Sequence, residues 1–326
     1  MTVQITVIGL NRIGLSLGLS LEEHKTNVYR CGFDSTSARL KQAESIGAFD
    51  KHFHRLIESI REAEVVILSI PVEQIEETLK ELSEDLKPGA IVINTTPAIT
   101  FFSDKAKNLL SPNHHTISMI PSLNGLYLNE NVTEAQIPHA DLFKNAEVLI
   151  PTDDETHSDA VRMVTDLAAI IGATPCFIDP VEAEGILTKT EILPRLAASA
   201  LLLSTLGQPG WQDARKVASV AYTKASSAIQ LSAEEAHPAD LLLTNRQNML
   251  FALDGLMASI AQIRGLVENG EHDQLDHLLS DLRESHAEWM DLRINGDWDA
   301  APKDESRKAP SLLGRLFGDP SKLKKK

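Results

Sequence analysis

Cysteine is scarce in this chain of 326 residues. The two cysteines, Cys31 and Cys176, each fall inside a strand-like run, so neither a disulfide framework nor a metal cluster is indicated and both are expected in the core. Long hydrophobic runs are also missing. The longest, around Leu196 to Leu206, falls well short of the roughly 20 residues of a membrane span, so no integral membrane segment is expected. The first strand-like run begins at Ile5 and leaves no room for a signal peptide, which makes the cytoplasm the expected compartment. Positive charge is the third shortage. Net charge is −15, with +5 on residues 302–326 and −20 on the rest, and so acidic a body argues against a nucleic-acid partner. Apolar residues, at 43% of a chain too long for one typical core, are plentiful enough for two domains.

The stretch Ile5-Thr6-Val7-Ile8-Gly9-Leu10-Asn11-Arg12-Ile13-Gly14 is an apolar run entering a glycine turn and a helix, as dinucleotide-binding domains begin. Gly9 and Gly14 hold the first and third places of G-x-G-x-x-G, but Asn11 stands at the second, where backbone should approach the pyrophosphate. The Asn11 amide could donate to a phosphate, yet its bulk is expected to weaken cofactor binding. A second strand, Val28 to Asp34, ends in an acid 20 residues beyond Gly14, where a carboxylate accepts the ribose hydroxyls of NAD. Ser35 and Thr36 leave NADP open, but Asp34 would repel a 2′-phosphate and no arginine follows before Arg39. The plainer alternative makes Asp34 a helix cap.

From residue 3 to about 179 strand-like and helix-like runs alternate, the pattern of a Rossmann-type α/β fold with a doubly wound, mostly parallel sheet. A helix near 37–46 leads to a segment around 49–53, and strands are expected near 64–72, 91–96, 116–120, 148–150 and 174–178. After Asp179-Pro180 nothing reads as strand. The expected division is a dinucleotide-binding domain over 1–179, an all-helical domain over 180–296 and a disordered basic tail over 297–326. In the tail, Leu312, Leu313, Leu316 and Phe317 precede Lys322, Lys324, Lys325 and Lys326, which suits either a solubilising tail or a docking helix. Leu241 to Leu243, Met249 to Phe251 and Leu278-Leu279 exceed what a small bundle hides, so a homodimer through the helical domain is expected, against one well-filled monomeric bundle.

Taken in order, Ile5 to Gly18, Gly32-Phe33-Asp34 with Ala38-Arg39-Leu40, Glu64 to Leu79, Asp141-Leu142-Phe143, Leu193-Pro194 and Asn245-Arg246 resemble the prephenate/arogenate dehydrogenases of tyrosine biosynthesis, over about residues 3–295. The resemblance implies NAD(P) on the first domain, a small anionic substrate in the cleft and a dimer. It also implies hydride transfer coupled to decarboxylation, with a histidine taking up the hydroxyl proton. The cofactor-binding set it implies is Gly9, Leu10, Asn11, Arg12, Ile13, Gly14, Asp34, Ile70 and Pro71.

Carried across residue by residue, the polar positions depart from the family. The histidine that precedes a proline is Ile120, before Pro121, and isoleucine cannot accept a proton. His115 lies about 17 Å away along extended chain. Thr96, in Asn94-Thr95-Thr96-Pro97, keeps a hydroxyl near the implied nicotinamide position. The serine-histidine-leucine-proline-histidine run reads Glu191-Ile192-Leu193-Pro194-Arg195, and Glu191 and Arg195 at i and i+4 suit an ion pair. Lys216 takes the place of the carboxylate-binding arginine, with Arg215 one residue earlier. Thr96, Lys216 and Arg215 are therefore the implied catalytic set. Lys189, Glu191, Arg195, Arg215 and Lys216 together would make an anionic-substrate cleft, or separately be solvated charges. The function implied is an NAD-dependent prephenate-type dehydrogenase. The alternatives are an inactive nucleotide-binding homologue that acts as a sensor or interaction protein, and a dehydrogenase for another small anion.

Overall fold

Six short apolar strands build the first layer: β1 (Val3–Ile8), β2 (Val28–Phe33), β3 (Lys51–Phe53), β4 (Val65–Leu68), β5 (Ile91–Asn94) and β6 (His115–Ser118). A computed structural model describes residues 2–131, 134–232, 238–296 and 298. In it these strands run parallel in the order β3-β2-β1-β4-β5-β6. β4 and β5 are buried along their whole length, which is why they read as unbroken apolar runs rather than alternating ones.

The crossovers are α1 (Arg12–Ser20), α2 (Ser37–Ser45), α3 (Leu56–Ile60), α4 (Val72–Leu82) and α5 (Ile99–Leu109). α4 shows the principle: Ile75, Leu79 and Leu82 are wholly buried, with charged residues between them facing out. One core lies on each face of the sheet, around Leu15, Leu17 and Val148 on one side and Ile75, Leu79 and Phe102 on the other.

The single strand expected at 116–120 is in fact two. The Met119 amide still follows β5, donating to the Asn94 carbonyl at 2.8 Å. Ile120 then leaves the sheet and pairs with Leu149, so β7 (Ile120–Pro121) lies antiparallel to β8 (Glu147–Pro151), and β9 (Thr174–Ile178) completes a second sheet. α6 (Ser158–Ile170) connects β8 to β9. Cys31 is buried, and desolvation pushes its thiol up to about 12. Cys176, expected in the core, is only partly buried because β9 is an edge strand.

All regular structure described after β9 is helical: α7 (Pro180–Leu187), α8 (Leu193–Leu206), α9 (Trp211–Ala214), α10 (Val220–Ser227), α11 (Pro238–Thr244), α12 (Arg246–Asn269) and α13 (His272–Asn295). Between α7 and α8 the chain widens into a π-turn over Thr188–Ile192. Pro194 has no N–H for the carbonyl four residues back, and the wider turn takes up the mismatch. Gly270, with φ +66°, closes α12 so that α13 folds back along it. α13 then returns to the first region. A Cβ on Gly125 would lie 2.2 Å from the Arg293 carbonyl oxygen, so only glycine fits beneath the end of this helix. The tail over 299–326, with its leucines and lysines, lies outside the described residues.

Candidate active site

The cleft begins where β1 enters α1. Gly9 has φ +92°, and a Cβ there would stand 2.1 Å from the Ser69 carbonyl oxygen, so the turn is pressed onto the end of β4. Asn11 is the N-cap of α1. Its Oδ1 accepts from the Gly14 amide at 3.0 Å and from the Ser69 hydroxyl at 2.8 Å, while its Nδ2 donates to the Ser69 carbonyl at 2.9 Å. The Asn11 amide therefore braces the turn from within, through Gly14 and Ser69. The amides of Arg12 and Ile13 sit in the first turn of α1, where a helix offers its own donors no partner and an anion is favoured. Ile70 is buried against Gly9, and Pro71 opens α4.

Asp34 follows β2 and is buried. Its Oδ2 accepts from the Leu10 amide at 2.8 Å and its Oδ1 from the Thr36 amide at 2.7 Å, with Arg39 at 3.5 Å. It thus joins the glycine turn to the segment before α2, whose N-cap is Thr36, so Asp34 is not the helix cap that the plainer sequence reading made it. A buried acid with remaining lone pairs at this edge suits ribose hydroxyls.

The connection from β7 to β8 folds over the same turn, which sequence reasoning missed. Arg12 donates to Glu130 at 2.5 Å and to the Ile137 carbonyl at 2.9 Å, and lies over the Tyr127 ring. Tyr127 stacks on His139 and donates to Asp141. Desolvation, reinforced by the Asp141 carboxylate, pushes the Tyr127 phenol up to about 12. Asp141 was legible as part of a motif, but nothing local announces its partner.

At the ends of β5 and β6, buried Asn94 organises the next loop. Its Oδ1 accepts from both the amide and the hydroxyl of Thr96, at 3.0 and 2.8 Å, and its Nδ2 donates to the Ser118 hydroxyl at 3.1 Å. Thr96 is thereby fixed at the C-terminal edge of the sheet, where ligands of doubly wound folds bind. Glu184 of α7, also buried, accepts from the Thr100 amide at 2.7 Å and from Asn245 at 3.2 Å, tying the start of α5 to the start of α12.

The polar helical residues divide. Lys216 and Arg215 are exposed and bond locally, to Asp213 at 2.8 Å and to the Gln212 carbonyl at 3.3 Å. Lys189 lies over the Phe251 ring. Glu191, on the π-turn, feels the positive charges of Arg195 and of Arg293, a residue of the last turn of α13 that sequence reasoning missed. Desolvation holds the Glu191 carboxyl above its ordinary value although both arginines oppose it. Arg293 also faces Glu147 of β8, whose carboxyl burial likewise raises, and donates to the Leu123 carbonyl at 2.9 Å.

A family model described as the nucleotide-binding domain of prephenate dehydrogenase matches residues 17–176. A cyclohexadienyl dehydrogenase of Zymomonas mobilis is 23% identical over 297 residues, covering 90% of this chain and 97% of the relative. A prephenate dehydrogenase of Bacillus subtilis is 22% identical over 284 residues, covering 83% and 72%. Among solved structures, the A. aeolicus prephenate dehydrogenase in complex with hydroxyphenyl propionate and NAD+ superposes with a TM-score of 0.76 at 17% identity, over 88% of this chain and 98% of that one. Synechocystis arogenate dehydrogenase does so with 0.67 at 20% identity, over 88% and 99%. At these identities the structural likeness speaks for the fold.

Proposed function

The chain belongs to the prephenate dehydrogenase family, and on that premise we propose that it oxidises prephenate or arogenate with loss of carbon dioxide, using NAD. The observation that carries the reading is Asp34: a buried acid at the C-terminal edge of a parallel sheet, hydrogen-bonded to the glycine turn whose next amides open α1. That donor and acceptor set fits a dinucleotide, with the pyrophosphate at Arg12 and Ile13 and a ribose at Asp34. When bound, the nicotinamide supplies the hydride acceptor. An acid at the ribose favours NAD over NADP.

The chain's own task is to hold the ring and move one proton. Hydride leaves the carbinol carbon and the hydroxyl proton leaves oxygen. The C–C bond to the ring carboxylate then breaks, carbon dioxide departs, and the electron pair aromatises the ring. Thr96 borders the reacting edge on a braced loop, and Lys216 or Arg215 is assigned to a substrate carboxylate after turning from Asp213 or Gln212. The reading further takes the protein as a cytoplasmic homodimer. Its two free thiols suit a reducing compartment, and exposed Phe251, Met257, Ile260 and Val267 on α12 suit a partner. By length and composition α12 is also apolar enough to cross a membrane, an exception to the sequence expectation. Its packing in a hairpin with the charged α13 favours association between chains.

Calorimetric titration with NAD and NADP, followed by an absorbance assay for reduced cofactor with prephenate and with arogenate, tests the reading. Tighter binding of NAD and turnover of one substrate are expected. Binding with no turnover of either would leave a nucleotide-binding protein and refute the dehydrogenase.

A further inference from the structure

Backbone amides at the start of a helix hold a phosphate well only when that first turn is fixed before the ligand arrives. On the sheet side the glycine turn is held twice, by Asp34 at the Leu10 amide and by Ser69 at the Asn11 side chain, so the loss of one contact leaves the other. The outer face of α1 has a separate support, the strap of chain that connects β7 to β8.

The strap is pinned at its base. The Asn124 amide donates to the Leu142 carbonyl at 2.7 Å, which brings its two ends together, and Leu142 and Phe143 are wholly buried. Arg293 of α13 donates to the Leu123 carbonyl at 2.9 Å beside them. From this base the strap grips α1 through Arg12 and Ser16, which lie i and i+4 on one face of the helix. Arg12 donates through Nη2 to Glu130 at 2.5 Å and through Nε to the Ile137 carbonyl at 2.9 Å, and the Ser16 hydroxyl accepts from the His139 amide at 3.1 Å. Behind these contacts the strap's own side chains lock together. Tyr127, beneath the Arg12 guanidinium, stacks on His139 with ring centroids 4.5 Å apart and donates to Asp141, and His139 Nε2 lies 3.6 Å from Glu130. The Arg12 and Glu130 side chains are only 11% and 14% exposed, so this ion pair is withdrawn from the screening that makes surface pairs weak.

Resting on the dinucleotide site read above, we propose that Arg12 is a positioning residue for the cofactor: clasped by Glu130 and Ile137, its side chain fixes the first turn of α1 against the strap and keeps the Arg12 and Ile13 amides aimed at the pyrophosphate. The side chain acts through the backbone and not as a phosphate ligand, because its Nε and Nη2 are already engaged by the strap. A direct ion pair between Arg12 and a phosphate would instead make Glu130 a competitor of the cofactor. The two roles therefore predict opposite signs for Glu130→Gln.

The test measures three ligands on the full chain as wild type, Arg12→Met, Arg12→Lys, Glu130→Gln and Ser16→Ala. NAD and ADP-ribose, which share the pyrophosphate, are titrated calorimetrically. Adenosine, which keeps a ribose but has no phosphate, is titrated by ligand-observed NMR. Arg12→Met should weaken NAD and ADP-ribose by the same factor, about tenfold, the net worth of one charge-assisted hydrogen bond, and leave adenosine within about twofold. Arg12→Lys keeps a charge for Glu130 without the planar fork and should recover part of the loss. Glu130→Gln and Ser16→Ala should weaken the same two ligands by smaller factors. Tighter NAD binding in Glu130→Gln would make Arg12 a phosphate ligand and overturn the positioning role. An equal loss for all three ligands, or no loss for any, overturns it too. If Arg12→Met fails to fold by circular dichroism, Glu130→Gln and Ser16→Ala decide on the same criteria. Wild type that binds neither NAD nor ADP-ribose refutes the dinucleotide site itself, whereas unchanged variants refute the role of Arg12 and leave that site standing.

Discussion

The α/β region and the helical region satisfy their apolar residues differently. Every residue of β4 and β5 is buried, and two cores sandwich the sheet. In the helical hairpin, by contrast, only Met249 and Ala252 of α12 are buried and no residue of α13 is, while Phe251 is 68% and Val267 62% exposed. The first region is closed by its own chain, and the second presents a surface that the described residues leave uncovered. Breaking that surface should have the largest effect. Phe251→Glu with Met257→Glu, at two exposed apolar positions of α12, should weaken self-association by about 10³-fold, from roughly 2 kcal/mol per buried anchor. Sedimentation across a concentration series measures this, and an unchanged mass would mean that the hairpin faces another partner.

The closed region should instead respond through stability. Arg30 lies buried on β2, its guanidinium donating to Asp50 at 2.8 Å and to the Gly18 carbonyl at 3.0 Å. Burial opposes the Asp50 charge, but the Arg30 hydrogen bonds and charge outweigh it and hold the carboxyl below its ordinary value. Asp50→Ala strands a buried cation and should cost about 3 kcal/mol by urea denaturation at neutral pH. Because the folded value is depressed, this contribution is complete above the unfolded carboxyl's pKa of about 3.9 and fades as pH falls below it. The gap between variant and wild type should therefore narrow at pH 3. A core truncation, Ile67→Ala, should cost about as much with no such pH dependence.

Much of this contrast was legible beforehand. Alternating strand and helix patterns located the sheet, and the end of strand-like sequence after Ile178 marked where helices take over. The spacing from Gly14 to Asp34 identified the acid at the glycine turn because both residues belong to one βαβ unit, whose geometry is local. Contacts between distant segments left no such trace. Nothing around Met119 signals that the next residue changes sheets, since the change depends on Leu149 being there to pair. An arginine within a strand reads as solvent-facing until Asp50 is seen beneath it, and Arg293 reads as a helix-end charge until α13 is seen to return to Leu123.

The smallest expected effect concerns Asn11, where sequence and structure differ most directly. A fingerprint argument makes the residue an obstruction, so Asn11→Gly should tighten NAD binding substantially. The hydrogen bonds to Gly14 and Ser69 make it instead a brace of the turn. On that geometry Asn11→Ala should lose about 1 kcal/mol of stability as the cap of α1 goes, and Asn11→Gly only a few tenths, since glycine is itself tolerated at an N-cap. NAD affinity should change by less than about threefold in either variant, under 1 kcal/mol. Calorimetry beside thermal denaturation separates the two accounts: a tenfold gain in affinity for Asn11→Gly would show that the side chain does intrude, and that this turn is not closed by its own chain as the rest of the region is.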